Sequence, residues 1–259
     1  MRPMRQGFNS RIKAMGGDIL AAKAFSRKQA VFNEKAQQYA GQGVITTPGY
    51  LRLETLLQAG VAGTSLNSIS FNTLDTSGTK QPTERRLKLS DTFTITGISF
   101  YLATGGSAVV GTPTAVEQSK EILNTFPNAL NPNVGLMVDE LEAIYNGYLS
   151  LRVDTTTFLD SVPLRQFYRV GTSQEGVGAT GVGANRIQAN EWSSSMYGRT
   201  ELLPTIELNG QANIEWSITL PTSIAYLQPA GFTNACIILD GFLNQGAATV
   251  QRQVQRRLR

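Results

Sequence analysis

Two pairs of carboxylates stand where a hydrolase could use them: Asp154 and Asp160 in DTTTFLD, and Glu207 and Glu215 on either side of Asn209-Gly210. A glycosidase needs one carboxyl group to protonate the leaving oxygen and a second to attack or to activate water. Glu207 and Glu215 fall on the opposite parity from Ile206 and Trp216. That places them on the solvent side of their strands, the ordinary position for charge. DTTTFLD together with Asp91 or Asp240 offers oxygen ligands to calcium, but without EF-hand spacing. GVGATG at 176–181 carries the dinucleotide-fingerprint glycines Gly176, Gly178 and Gly181. That fingerprint works as a tight strand–turn–helix. Here residues 171–175 separate it from the preceding strand, and the following VGANRIQANEW is a poor helix, so the stretch reads as a surface loop.

The sequence contains no histidine. The side chain best suited to proton transfer near neutral pH is missing, which removes Ser-His-Asp and Cys-His catalysis and most zinc sites. The one cysteine, Cys236, sits in the apolar run NACIILDGF and reads as a small buried residue. There is no CxxC, no internal disulfide and no GxxxxGK[ST] phosphate loop. No catalytic residue, cofactor or metal is expected, and the chain is not expected to be an enzyme.

Charge is more informative by position than by size. The formal net charge is +4. Residues 1–40 carry the bases Arg2, Arg5, Arg11, Lys13, Lys23, Arg27, Lys28 and Lys35 against only Asp18 and Glu34. The last nine residues carry Arg252, Arg256, Arg257 and Arg259 and no acid. The body between the two ends is therefore net acidic. Basic ends on an acidic body suit an anionic partner: nucleic acid, anionic lipid or an acidic patch on a neighbouring subunit. No aromatic ladder accompanies the bases, so contact with phosphates rather than base reading is expected.

The elements that must position these groups follow from periodicity. Residues 10–40 read as two helical pieces broken at Gly16-Gly17, rich in Ala, Lys and Gln, and Gly41 and Gly43 mark a boundary. Strands dominate from about residue 64. In RRLKLSDTFTITGISFYLA, Leu87, Leu89, Phe93 and Ile95 share one parity, and beyond Gly97 the apolar parity passes to Ile98, Phe100 and Leu102. A face change at a glycine predicts a bulge or a bend. Residues 113–147 read as a helical insertion. Thr114 and Glu117 form a capping box before AVEQSKEILNTF, and LMVDELEAIYNG turns Met137, Leu141, Ile144 and Tyr145 to one face and Asp139, Glu140 and Glu142 to solvent. YLSLRV and VPLRQFYRV read as strands. TIELNGQANIEWSITL reads as a hairpin turning at Asn209-Gly210. ACIILDGFL reads as a central strand buried on both faces. Eight to nine strands without βαβ alternation predict a mainly β protein, an antiparallel β-sandwich or jelly roll. Its organisation is a basic helical arm at 1–42, a body at 43–245 and a basic tail at 246–259. No run of about 18 apolar residues occurs, so no transmembrane helix is expected, and the basic N-terminus has no apolar core of a secretory signal.

A basic, partly helical arm (MRPMRQGFNSRIKAMGG), a histidine-free β-rich body with the long strand RRLKLSDTFTITGISFYLA, Gly-rich loops and a basic tail together resemble a jelly-roll major capsid protein of an icosahedral bacteriophage. The resemblance implies a structural virion subunit, made in the host cytoplasm, that self-assembles as homotrimers into a shell. It implies arms that run beneath the shell to the genome or, in lipid-containing phages, to an internal membrane. In the double jelly-roll branch two eight-stranded barrels stack in one chain; the strands counted here fill one barrel and reach two only if short pieces are included. On this reading the interior or subunit contacts are Arg2, Arg5, Arg11, Lys13, Lys23, Arg27, Lys28, Arg252, Arg256, Arg257 and Arg259. Deleting 251–259 is then expected to weaken assembly or packaging more at low salt than at high salt.

Two other readings carry their own markers. A spike or tail component of a virion ordinarily shows repeats or a coiled-coil stem, and neither is present. A carbohydrate-binding β-sandwich needs exposed aromatics, for which Trp192 and Tyr197 in NEWSSSMYG are the candidates, Trp216 lying on a core parity.

Overall fold

The computed structural model describes residues 19–57, 66–76, 80–107, 113–126, 138–169, 199–224 and 231–257, with side chains from 25, from 140 and up to 253 in the three terminal or interrupted helices. The elements, in order, are helix α1 (Ile19–Gln38), β1 (Ile45–Leu56), β2 (Leu66–Asn72), β3 (Thr92–Gly105), α2 (Ala115–Gln118), β4 (Ile122–Asn124), α3 (Val138–Ile144), β5 (Tyr148–Val153) and β6 (Thr156–Pro163). A single turn of 3-10 helix (Leu164–Phe167) follows, then β7 (Arg199–Asn209), β8 (Ile214–Ile224), β9 (Phe232–Gln245) and α4 (Ala247–Arg257). The protein is mainly β, and its strands form two antiparallel sheets. The GVGATG stretch, Trp192 and Tyr197 lie outside the described residues.

One sheet runs β1-β9-β3, with β7 and then β4 along the far edge of β3; the other runs β2-β8-β5-β6. The core lies between them. Phe93, Ile95, Ile98, Phe100 and Leu102 of β3 join Ala235, Ile237 and Leu239 of β9 on one side. Leu149, Leu151, Trp216 and Ile218 face them from the other sheet. The alternation of buried and exposed residues along β8 is the signature of a strand with one wet face. β3 and β9, in contrast, are buried on both faces: α1 packs on the outer side of their sheet at Phe242, and a polar cluster of Arg52, Glu54 and Glu121 closes it at Asn234.

The expected face change in β3 is a bulge. Ile95 pairs with Gly241 of β9 and Gly97 pairs with Asp240, so two steps on β3 match one on β9. The extra residue flips the parity of β3, while β9 keeps its own. Against β7 the same point absorbs a larger mismatch, Ile95 pairing with Ile206 and Gly97 with Glu201.

Four local expectations are corrected. TIELNGQANIEWSITL is not a hairpin: β7 pairs with β3 in one sheet, and β8 pairs with β2 and β5 in the other. Asn209-Gly210 is a corner between sheets. Gly210 N–H donates to Asp91 O at 3.0 Å, and a β-carbon on Gly210 would strike Lys88 O, so the turn is wedged beneath a neighbouring loop rather than closing a ladder. The capping box of Thr114 and Glu117 is present, but its helix stops at Gln118, and Ile122–Asn124 adds a strand to β3. Leu89 is 45% exposed, because the backbone turns at Leu89–Ser90 before β3 begins. VPLRQFYRV is not a strand, since Pro163 ends β6 and Leu164–Phe167 coils. β1 had no counterpart among the expected strands; its Pro48 weakens the strand signal and is tolerated because β1 lies at the sheet edge.

Candidate interaction face

The outer face of the five-stranded sheet is built from the even-numbered residues of β9. Asn244 donates to Thr92 Oγ1 at 3.1 Å and accepts from Thr46 Oγ1 at 2.9 Å, tying β1, β9 and β3 together under the helices. Next along the strand, the Phe242 ring meets Phe32 of α1 with centroids 5.5 Å apart. Then Asp240 pairs with Arg199 at 3.3 Å. α1 therefore lies on this face as a packed element.

Where α1 ends, the two basic ends of the chain meet. Lys35 Nζ donates to Glu207 Oε2 at 2.5 Å and Tyr39 Oη to Glu207 Oε1 at 3.0 Å. From α4, Gln251 Nε2 donates to Tyr39 Oη at 2.9 Å and to Glu207 Oε1 at 3.2 Å, while its own Oε1 accepts from Asn209 Nδ2 at 2.8 Å. One carboxylate on β7 thus holds both helices. Burial by itself would raise the Glu207 pKa; the hydrogen bond and charge of Lys35, with Tyr39 and Gln251, outweigh it and leave the carboxyl below its ordinary range. Burial, then the Glu207 charge, raises the Tyr39 phenol. Tyr39 is 3% exposed, and its hydroxyl spends its bonding capacity inside the joint.

Beside this joint α1 and the sheet enclose an open groove of about 390 Å³, lined among others by Phe25, Phe32, Phe242, Lys28, Arg199 and Asp240. Burial, then the neighbouring Arg199, lowers the Lys28 pKa, and burial raises Asp240. Both shifts favour the neutral forms, the mark of charges pressed against an apolar surface.

The outer face of the other sheet is different. It carries rows in register, mostly of small polar residues: Ser70, Ser217 and Ser150 across β2, β8 and β5, then Ser68 and Thr219 with Tyr148, then Asn72 with the opposite charges Glu215 and Arg152. The two broad faces of the sandwich are thus chemically unlike: basic α1 packs on one, and among the described residues the other presents mainly small polar side chains.

A second polar cluster closes the far end of β1. Arg52 pairs with Glu54 and Glu121, and Glu84 pairs with Arg86 at 2.7 Å. Thr83 Oγ1 donates to Glu54 at 2.8 Å, and Asn234 Nδ2 reaches both Glu54 and Glu121. Burial raises the Glu54 pKa against the opposing pull of Arg52. Cys236 beneath it is fully buried, and burial pushes its thiol up to about 12, as fits an inert core residue.

Of the bases expected to make contacts, Arg27 and Arg252 are exposed, and Lys28 is half-buried over the groove. Arg252 donates to Gln211 Oε1 at 3.4 Å. Lys23, Arg256 and Arg257 lie in α1 and α4 with side chains outside the description, and Arg2, Arg5, Arg11, Lys13 and Arg259 lie outside the described residues. Glu207 does stand on the face away from the core, as its parity requires, but that face is covered and not solvated. Glu215 is exposed. Asp154 serves a turn, its carboxylate accepting Asn213 N–H at 2.8 Å. Among the described residues no group of three or more Cys, Asp or Glu side chains is placed to hold a metal ion, and no helix is long and apolar enough to cross a membrane. No family model, curated protein or solved structure matches the chain.

Proposed function

We propose that this chain is the structural subunit of an icosahedral viral shell, folded as a single jelly roll. The observation that carries the reading is the nesting of its strand pairs. Apart from the short β4, β1 pairs with β9, β2 neighbours β8, β3 pairs with β7, and β5 pairs with β6. The first strand meets the last, the second meets the last but one, and so inward, as when one long ribbon of paired strands is rolled into a sandwich. The cross-links β3–β9 and β5–β8 then gather the four pairs into two sheets. We read that winding as the two-Greek-key jelly roll, an architecture used by viral capsids and by lectins.

Sidedness favours the shell over the lectin. A wall needs one side that tolerates a polyanion and another that does not hold it. Here basic α1 packs on one sheet, with α4 joined to its end through Tyr39 and Glu207, while the opposite sheet presents mainly serine, threonine and asparagine, with Glu215 beside Arg152. The exposed Arg27 and Arg252, with the remaining bases of both ends, would face the genome, an internal membrane or a neighbouring subunit. Homotrimers are the expected building block.

Electron microscopy of the purified protein with mass analysis in solution tests the proposal. Closed shells, or trimers that tile into sheets, are expected. A stable monomer at high concentration overturns it and favours a carbohydrate-binding module. Because Gln251 belongs to the joint with Tyr39 and Glu207, the informative truncation removes 252–259 and keeps Gln251. Its yield of particles or packaged genome should fall most at low salt; equal yield at every salt would remove the tail from the proposal.

A further inference from the structure

A second basic surface lies at the mouth of the sandwich. The segment 75–91, which leads from β2 to β3, and the start of β1 enclose a polar groove of about 340 Å³. Lys80, Arg85, Arg86 and Lys88 all reach its wall. Two of these charges are balanced within the chain: Lys80 pairs with Asp75 at 3.4 Å and Arg86 with Glu84 at 2.7 Å. Asp91, the other acid of the wall, accepts from Ser90 Oγ at 2.7 Å and from Gly246 N–H at 2.9 Å. Arg85 and Lys88 are exposed, and neither forms an ion pair among the described residues.

The Arg85 guanidinium lies over the Tyr50 ring, 5.1 Å from its centroid. Tyr50 is 45% exposed, so the groove offers an aromatic surface beside a cation. The basic track continues beyond the groove. Leu89 O, next to Lys88, accepts from Gln211 Nε2, and Gln211 Oε1 accepts from Arg252 Nη1 at 3.4 Å. Lys88 and Arg252 are thereby joined through two intervening residues at the same end of the molecule.

We propose that this groove, extended by Arg252, binds single-stranded nucleic acid, with Arg85, Lys88 and Arg252 on its phosphates and a base stacked on Tyr50. Unpaired cations beside an exposed aromatic are the combination that holds a single strand: charge tracks the backbone, and the ring takes any base by its face. A duplex keeps its base faces stacked inside and cannot use Tyr50. The site stands independently of the shell reading, since it lies in the folded body and needs no assembly.

Fluorescence anisotropy on the full chain, with a labelled oligothymidylate across a salt series, tests it. Each phosphate contact adds about 0.7 to the slope of log affinity against log salt for a single strand. R85Q/K88Q should flatten the slope by about 1.4 and lower low-salt affinity about tenfold or more. R85K/K88R should keep the wild-type slope. Tyr50→Leu should weaken binding about fivefold or more while leaving the slope unchanged. If R85Q/K88Q melts early, protection of Lys88 from acetylation by oligothymidylate on the wild-type chain replaces it, and an unprotected Lys88 overturns the site. An unchanged slope and affinity in a folded R85Q/K88Q overturns it too. So does a duplex or heparin bound equally well with Tyr50→Leu silent, which would mark a general polyanion surface. Micrographs of the same variants separate the two proposals: failure to form shells with binding intact strikes the capsid reading alone.

Discussion

Lys35 on α1 and Glu207 on β7, 172 residues apart in sequence, form an ion pair that fastens the N-terminal helix to the sheet, and Gln251 of α4 bonds to the same carboxylate. Glu207 is thus an anchor shared by both basic ends. Glu207→Gln keeps the shape and removes the charge that Lys35, Tyr39 and Gln251 all face. Hydrogen bonds to a charged group are worth about 1.5–3 kcal/mol when buried, and this one is partly exposed. A loss of about 1–2 kcal/mol is expected, seen as a drop in Tm of a few degrees. Faster amide exchange should be confined to α1 and α4, and uniform acceleration across the sandwich would contradict the anchor role.

The same anchor gives a pH signature. The Glu207 pKa is lowered by folding, from an ordinary value of 4.5, because Lys35, Tyr39 and Gln251 overcome the burial that would raise it. A carboxyl depressed in the folded state contributes stability that is present above its unfolded pKa and is lost as pH falls through the folded one. The Tm difference between wild type and Glu207→Gln should therefore be largest near neutral pH and shrink as acid passes below about 4.5. A difference that stays constant from neutral to strong acid would show that the charge of Glu207 does not hold the joint.

Gly241 and Gly97 sit on neighbouring strands at the bulge, yet they differ in what a methyl group would meet. A β-carbon on Gly241 would overlap the Thr94 carbonyl, which belongs to the central ladder and has no room to move. On Gly97 its nearest neighbours would be atoms of the Arg199 guanidinium, the far end of a flexible side chain. Gly241→Ala should cost roughly 2–3 kcal/mol or more. Gly97→Ala should cost less than about 1 kcal/mol in stability and instead displace Arg199 from Asp240. Denaturant titration of the two variants decides, and equal costs would contradict the geometry.

That bulge was legible in the sequence, because period-2 alternation reports directly which face a residue takes and Gly97 marks where it flips. The core status of Trp216 and Leu149 was legible for the same reason, and the burial of Cys236 from the apolar run around it. The corner at Asn209-Gly210 was not. A turn's residue types encode how the chain reverses, and they are the same whether the next strand pairs with the last or crosses to another sheet. That choice is made by Lys88 and Asp91, about 120 residues earlier in the chain, against which Gly210 packs. The joint was hidden likewise. Parity places Glu207 away from the core, but nothing local says that Lys35, Tyr39 and Gln251 will cover it. The groove at Tyr50 and Arg85 was missed because Lys80, Arg85, Arg86 and Lys88 share their stretch with Glu84 and Asp91, so its charge looks mixed, and only the fold sets it against Tyr50 of β1.

The buried cluster at the end of β1 yields the sharpest test of internal charge balance. Glu54, Glu84 and Glu121 are held there by Arg52 and Arg86, with Arg52 bonded to both Glu54 and Glu121. Arg52→Met fills much of the same volume and leaves two nearly inaccessible carboxylates without their cation. Breaking a buried pair in this one-sided way costs about 3–5 kcal/mol, since the abandoned charge is not resolvated. Burial already raises the Glu54 pKa, and losing Arg52 raises it further. A carboxyl raised by folding is best tolerated below its unfolded pKa and becomes a growing burden as pH rises through the folded one. The variant should therefore be far less stable than wild type at neutral pH and approach it in mild acid. Removing the acids with the base, as in Arg52→Met with Glu54→Gln and Glu121→Gln, should recover much of the loss at neutral pH. A single variant whose deficit is the same in mild acid as at neutrality would show that Arg52 acts through packing and not through charge.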